Sequence, residues 1–101
     1  MRIKEDIIST NDARVASIDL DVGECSTWHY HTEVTENVIC LSGTIEVQYD
    51  RPKNSFVVMP GLRNTISARV IHRLINRGDR IASYLLIQSG QYDFIECDIQ
   101  I

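Results

Sequence analysis

Short apolar runs, each closed by a turn, recur along the whole sequence, and this constrains the fold more than anything else in it. The runs occupy residues 14–20, 25–31, 36–41, 44–50, 55–59, 64–67, 70–75, 80–88 and 92–99. Between them stand Asp21-Val22-Gly23, Ser42-Gly43, Pro60-Gly61, Asn76-Arg77-Gly78-Asp79 and Ser89-Gly90. Val, Ile, Thr and Tyr enrich the runs, and no window carries an apolar 3.6-residue period of helical length. Eight or nine short antiparallel strands in about 100 residues predict an all-β sandwich or jelly-roll barrel.

With 101 residues the chain is long enough for one domain, 1–101, and too short for two. A formal net charge of −4 and scattered basic residues argue against a nucleic-acid face. No run has the length of a membrane span, and Lys4, Glu5 and Asp6 interrupt any signal-like apolar segment. Three cysteines, Cys25, Cys40 and Cys97, lack paired spacing. Reduced thiols in a cytoplasm are the expected state.

Alternation assigns faces. Ile45, Val47 and Tyr49 share one side of their run, while Thr44, Glu46, Gln48 and Asp50 share the other. The runs at 36–41 and 55–59 are apolar on both sides, so something must cover their outer faces. A second copy of the chain is the simplest cover, and a homodimer is expected.

Two of the three histidines lie in the stretch WHYHTEVTE, 28–36. His29 and His31 project to the same side of a strand, with Cys25 and Thr27, while Trp28 and Tyr30 face outward for packing. A turn after His31 returns the chain so that Glu36 lies close by. Two imidazoles and a carboxylate are most of a metal shell. His72 is the third histidine; its run could bring it to the same ion. Cys40 shares the face of Glu36 and reads best as a small buried thiol. Asn76 either orients a ligand or caps a turn.

The spacing Gly23-x5-His29-x-His31-x4-Glu36-x6-Gly43 resembles the first motif of the cupin superfamily at every position. Gly61, His72 and Asn76 match the second motif, with Ser67 and Arg69 where that pattern has proline and glycine. The resemblance implies a double-stranded β-helix barrel and one divalent ion, Fe, Mn, Ni, Zn, Cu or Co, held by His29, His31, Glu36 and His72. Gly23, Gly43 and Gly61 read as turn formers.

Such an ion could polarise a carbonyl, lower the pKa of bound water or bind O₂. A metal-dependent enzyme, dioxygenase- or lyase-like, acting on a small oxygenated or carboxylate compound is the first functional expectation. A non-catalytic metal-containing binding or sensor module is the alternative. Glu33 and Tyr49 are the candidate acid–base groups beyond Glu36. Arg69, with Tyr49, is a candidate substrate contact, because a guanidinium beside the pocket would hold a carboxylate.

Overall fold

A computed structural model describes residues 1–99. The strands are β1 (Arg2–Ser9), β2 (Ala13–Leu20), β3 (His29–Tyr30), β4 (Thr35–Ser42), β5 (Ile45–Tyr49), β6 (Asn54–Val58), β7 (Arg63–Ile66), β8 (His72–Ile75), β9 (Ala82–Ser89) and β10 (Ile95–Glu96). They form two five-stranded sheets, one ordered β1-β2-β9-β4-β7 and the other β10-β3-β8-β5-β6. Every pairing is antiparallel. This is the jelly-roll expected from the runs and turns.

Three elements differ from expectation. β1 lies outside the runs read from the sequence, because its apolar residues Ile3, Ile7 and Ile8 do not alternate. Register shifts between Ile3 and Glu5 and between Asp6 and Ile8 account for this, since each irregularity resets the face. The run at 25–31 is regular only at His29–Tyr30, and Cys25 is tied to Ile75 by an isolated bridge. The run at 92–99 is likewise regular only at Ile95–Glu96.

Between the sheets the inward positions follow a strict period of two. β2 contributes Ala16, Ile18 and Leu20, and β9 contributes Ala82, Tyr84 and Leu86. Their register stacks them in rows: Leu20 beside Ala82, Ile18 beside Tyr84 and Cys40, Ala16 beside Leu86 and Val38. Ile45, Val47, Val58 and Leu74 close the core from the other sheet. One row further along, the same parity brings Arg14, Gln88 and Glu36 side by side, with Ile66 next to Glu36. The apolar core thus gives way to a polar row at one end of the barrel.

The tight entry to β5 depends on Gly43. Its φ is +72°, and a Cβ there would stand 2.9 Å from the Ala82 Cα. Any other residue would meet both a left-handed backbone and a neighbouring strand. Asn76 is fully buried and caps the β8–β9 turn. Its amide donates to the Leu20 and Arg80 carbonyls at 2.9 and 2.8 Å and accepts from Gly78 N–H at 2.9 Å. Of its two expected roles, the structure assigns the turn.

Candidate metal centre

His29, His31, Glu36 and His72 converge from both sheets. One ligand atom from each lies within 4.8 Å of the other three, and all four residues are buried. His29 and His72 are direct partners across β3 and β8, with ring centroids 4.4 Å apart. Glu36 reaches them from the facing sheet, where the period of two on β4 turns it inward with Val38 and Cys40.

Main-chain carbonyls fix all three rings. His29 Nδ1 lies 2.7 Å from the Thr27 oxygen, His31 Nδ1 2.5 Å from the Asp93 oxygen, and His72 Nδ1 2.8 Å from the Val70 oxygen. A carbonyl only accepts, so each Nδ1 carries a proton, and in the neutral ring Nε2 keeps its lone pair for the centre. The Nε2 atoms of His31 and His72 are buried without a hydrogen-bond partner, although Glu36 Oε1 lies against His31 and 3.8 Å from His72. Buried acceptors aimed at one point next to a carboxylate are costly unless something positive binds there. The residues therefore fit a divalent ion held by imidazole and carboxylate.

Electrostatics agree with that chemistry. Burial pushes His29 down to about 4, against the helping Thr27 carbonyl. Burial also lowers His72 despite the pull of Glu36. For His31 burial is opposed by Glu36 and the Asp93 carbonyl, which together raise the ring above its ordinary value. Burial likewise disfavours charge on Glu36, but the three imidazoles outweigh it and hold the carboxyl below its usual range. The site thus holds neutral imidazoles at His29 and His72 and an ionised Glu36 near neutral pH, the forms that bind metal.

A cavity of about 550 Å³ opens on His29, His31 and Glu36. Ile18, Leu74, Tyr84 and Leu86 supply apolar wall, while Arg14 and Gln88 supply polar wall. At the mouth Phe94 stacks on His29, 4.4 Å between centroids at 18°, and Tyr92 lies 5.5 Å from His31. Asp93, between them, accepts from Thr32 N–H at 2.9 Å and from the Thr32 hydroxyl at 2.5 Å. The segment after β9 is thereby latched to the loop that follows His31.

The other expected site residues lie elsewhere. Arg69 is exposed and not on the cavity wall. Its main chain matters more: φ is +68°, and its N–H donates to the His31 carbonyl at 2.7 Å. The position where the cupin pattern has glycine keeps a glycine-like conformation under an arginine. Tyr49 pairs with His72 in register, but its hydroxyl accepts from Asn64 at 2.8 Å and it does not line the cavity. Glu33 is exposed. Cys40 is a buried thiol near the Ser42 and Gly43 carbonyls, as expected. Cys25 and Thr27 reach the cavity wall from exposed positions, and Trp28 packs on the outer side under the Arg73 guanidinium, 4.5 Å from its ring.

Sequence reasoning missed Arg14, Gln88, Tyr92, Asp93 and Phe94. Parity would have found the first two, since Arg14 is in phase with Ala16, Ile18 and Leu20, and Gln88 with Tyr84 and Leu86. Nothing local marks the other three, which a non-repeating segment places against the histidines.

Solved structures with the same architecture include a protein with a double-stranded β-helix domain from Klebsiella pneumoniae subsp. pneumoniae MGH 78578. It is 17% identical with a TM-score of 0.80, over 90% of this chain and 75% of that one. An oxalate oxidase in complex with the substrate analogue glycolate is 20% identical with a TM-score of 0.76, over 84% of this chain and 46% of that one. A cupin-superfamily sugar phosphate isomerase from Silicibacter pomeroyi DSS-3 is 25% identical with a TM-score of 0.68, over 79% of this chain and 52% of that one. The chain thus spans about half the length of each of these two enzymes. No curated protein matches the sequence. The cupin domain pattern matches residues 16–88, from the middle of β2 to the end of β9 and across all four converging side chains. The chain belongs to the cupin family.

Proposed function

We propose that this cupin is a metal-dependent enzyme, dioxygenase- or lyase-like, acting on a small oxygenated or carboxylate compound. One observation carries the reading: three imidazoles and a carboxylate, all buried, converge on a point that borders a cavity of small-molecule size. His29, His31, Glu36 and His72 would hold the ion, with Fe, Mn, Ni, Zn, Cu and Co all suited to such donors. When bound, it supplies Lewis acidity and, if redox-active, an electron-transfer partner for O₂. The chain's own contribution is to keep His29 and His72 neutral by burial and to surround the substrate with apolar wall.

The similarity to an oxalate oxidase that binds glycolate and to a sugar phosphate isomerase supports a small oxygenated substrate. A homodimer belongs to the same reading. Leu41, Val57 and Met59 stay about half exposed on the outer faces of 36–41 and 55–59, a surface suited to a second copy. The three free thiols suit a reducing cytoplasm.

The test is metal analysis of protein purified without added metal, then O₂ uptake and product analysis over a panel of small hydroxy, keto and dicarboxylic acids. Turnover that disappears in Glu36→Ala is expected. Tight binding across the panel with no turnover would favour the sensor module instead.

A further inference from the structure

We infer that the cavity is built for a small hydroxy acid, its carboxylate on Arg14, its hydroxyl on Gln88 and its other oxygen-bearing end toward the metal centre. This deepens the proposed function and rests on it.

The register carries the argument. Arg14 on β2 is the partner of Gln88 on β9, and Gln88 is the partner of Glu36 on β4. All three project inward and line the same cavity. Adjacent strands lie about 4.8 Å apart, so roughly 10 Å of backbone separates the two ends of the row. Side chains reaching in from both ends leave a gap suited to a compact ligand of a few carbons.

Each member of the row offers a different chemistry. Arg14 brings a planar fork of donors. Among the described residues its one side-chain partner is Asp6, at 3.4 Å on exposed β1, a long and solvated contact that competes weakly. The remaining donors are free for a carboxylate on the cavity side. Gln88 is 5% exposed, and its amide nitrogen points to Glu36 Oε1 at 3.4 Å. A carboxylate can only accept, so that orientation is required and Gln88 Oε1 is left as the acceptor. That oxygen is buried with no partner among the described residues. An orphaned buried acceptor calls for a donor, and a carboxylate has none, whereas a hydroxyl does. Read across the sheet, the wall presents a cation, an acceptor and the metal centre in that order.

The remaining wall does not oppose an anion. Glu24, the other carboxylate on it, is paired with the Met1 amino group. Buried Ile18 and Leu86 form apolar wall beside the row, which strengthens a charge-assisted pair.

Calorimetry on the metal-loaded protein tests this with three probes: malate, succinate, which lacks only the hydroxyl, and butane-1,2,4-triol, which lacks only the carboxylates. Wild type should bind malate more tightly than either of the others. Arg14→Met should weaken malate about tenfold to a hundredfold and leave the triol and the metal content unchanged. Arg14→Lys should recover part of the loss, which separates lost charge from lost packing. Gln88→Met should abolish the preference for malate over succinate. Equal malate affinity in wild type and Arg14→Met, at full metal content, would overturn the inference and leave the metal centre intact. So would the absence of any malate binding to metal-loaded wild type. A chain that takes up no metal fails the proposed function instead, and that is read by metal analysis before any probe is added.

Discussion

Asp93 grips Thr32 with both carboxylate oxygens, one on the main-chain N–H at 2.9 Å and one on the hydroxyl at 2.5 Å. The two residues are 61 positions apart, and the contact closes the segment after β9 over the metal centre. The same Asp93 offers its carbonyl to His31 Nδ1. A hydrogen bond of this kind orients a ligand and sets its tautomer, and its loss commonly weakens metal affinity about 10–100-fold. Asp93→Ala should do so with little change in the folding of the barrel, and Asp93→Asn, which keeps one acceptor, should lose less. Competition with a fluorescent chelator measures it. Unchanged affinity in Asp93→Ala would show that the latch does not serve the metal.

Acid should weaken the metal-free chain through His29. Its folded pKa of about 4 lies below the unfolded value of 6.5. Above pH 6.5 both states are neutral and the full stability is present. Between 6.5 and 4 the unfolded chain takes up a proton that the folded one refuses, so stability falls with pH, in the end by on the order of 3 kcal/mol. His72 acts in the same direction. His31 opposes them: its pKa is raised, so its stabilisation is present below 6.5 and fades as pH rises through the folded value. Urea unfolding of chelator-treated protein at pH 7, 5.5 and 4.5 should show the decline, and His29→Gln should flatten it. An equal decline in the variant would remove His29 from the account.

Arg69→Gly should leave metal content and carboxylate affinity as they are. The arginine is exposed and stands in a left-handed conformation that costs a non-glycine residue about 1–2 kcal/mol. Part of that is recovered by glycine and part is lost to the greater freedom of the unfolded chain. Stability should therefore be unchanged or up to about 1 kcal/mol higher by denaturant titration. A drop in carboxylate affinity would restore Arg69 to the pocket.

Gly43→Ala should be costly. The added Cβ meets the Ala82 backbone, and φ is wrong for alanine. A loss of roughly 2 kcal/mol or more is expected from strain and overpacking combined. An unchanged melting temperature would mean that the β4–β5 turn gives way more easily than its packing implies.

The barrel and its metal residues were legible because both depend on short-range regularities. Alternation is local, so the face of Ile45 and Val47 on β5 could be read directly, and fixed spacing placed His29, His31 and Glu36 together. β1 was not legible, because its bulges break the alternation. Neither was the mouth of the site. Tyr92, Asp93 and Phe94 meet His29 and His31 through a contact that spans most of the chain, and only tertiary structure brings it about. Beside the motif the sequence offers Arg69 as the pocket arginine, and Arg69 is exposed away from the cavity wall. The cation on the cavity wall is Arg14, one strand before the motif's first histidine, and it is in phase with an otherwise apolar face.

The central claim is that His29, His31, Glu36 and His72 share one ion. Metal analysis by mass spectrometry on protein purified without added metal, beside the His29→Ala/His31→Ala double variant, tests it most directly. The account expects about one divalent transition-metal ion per wild-type chain and almost none in the variant, with release from wild type in acid as protons compete for the imidazoles. A wild-type chain that neither carries nor takes up such an ion, or a double variant that keeps a full one, would contradict it.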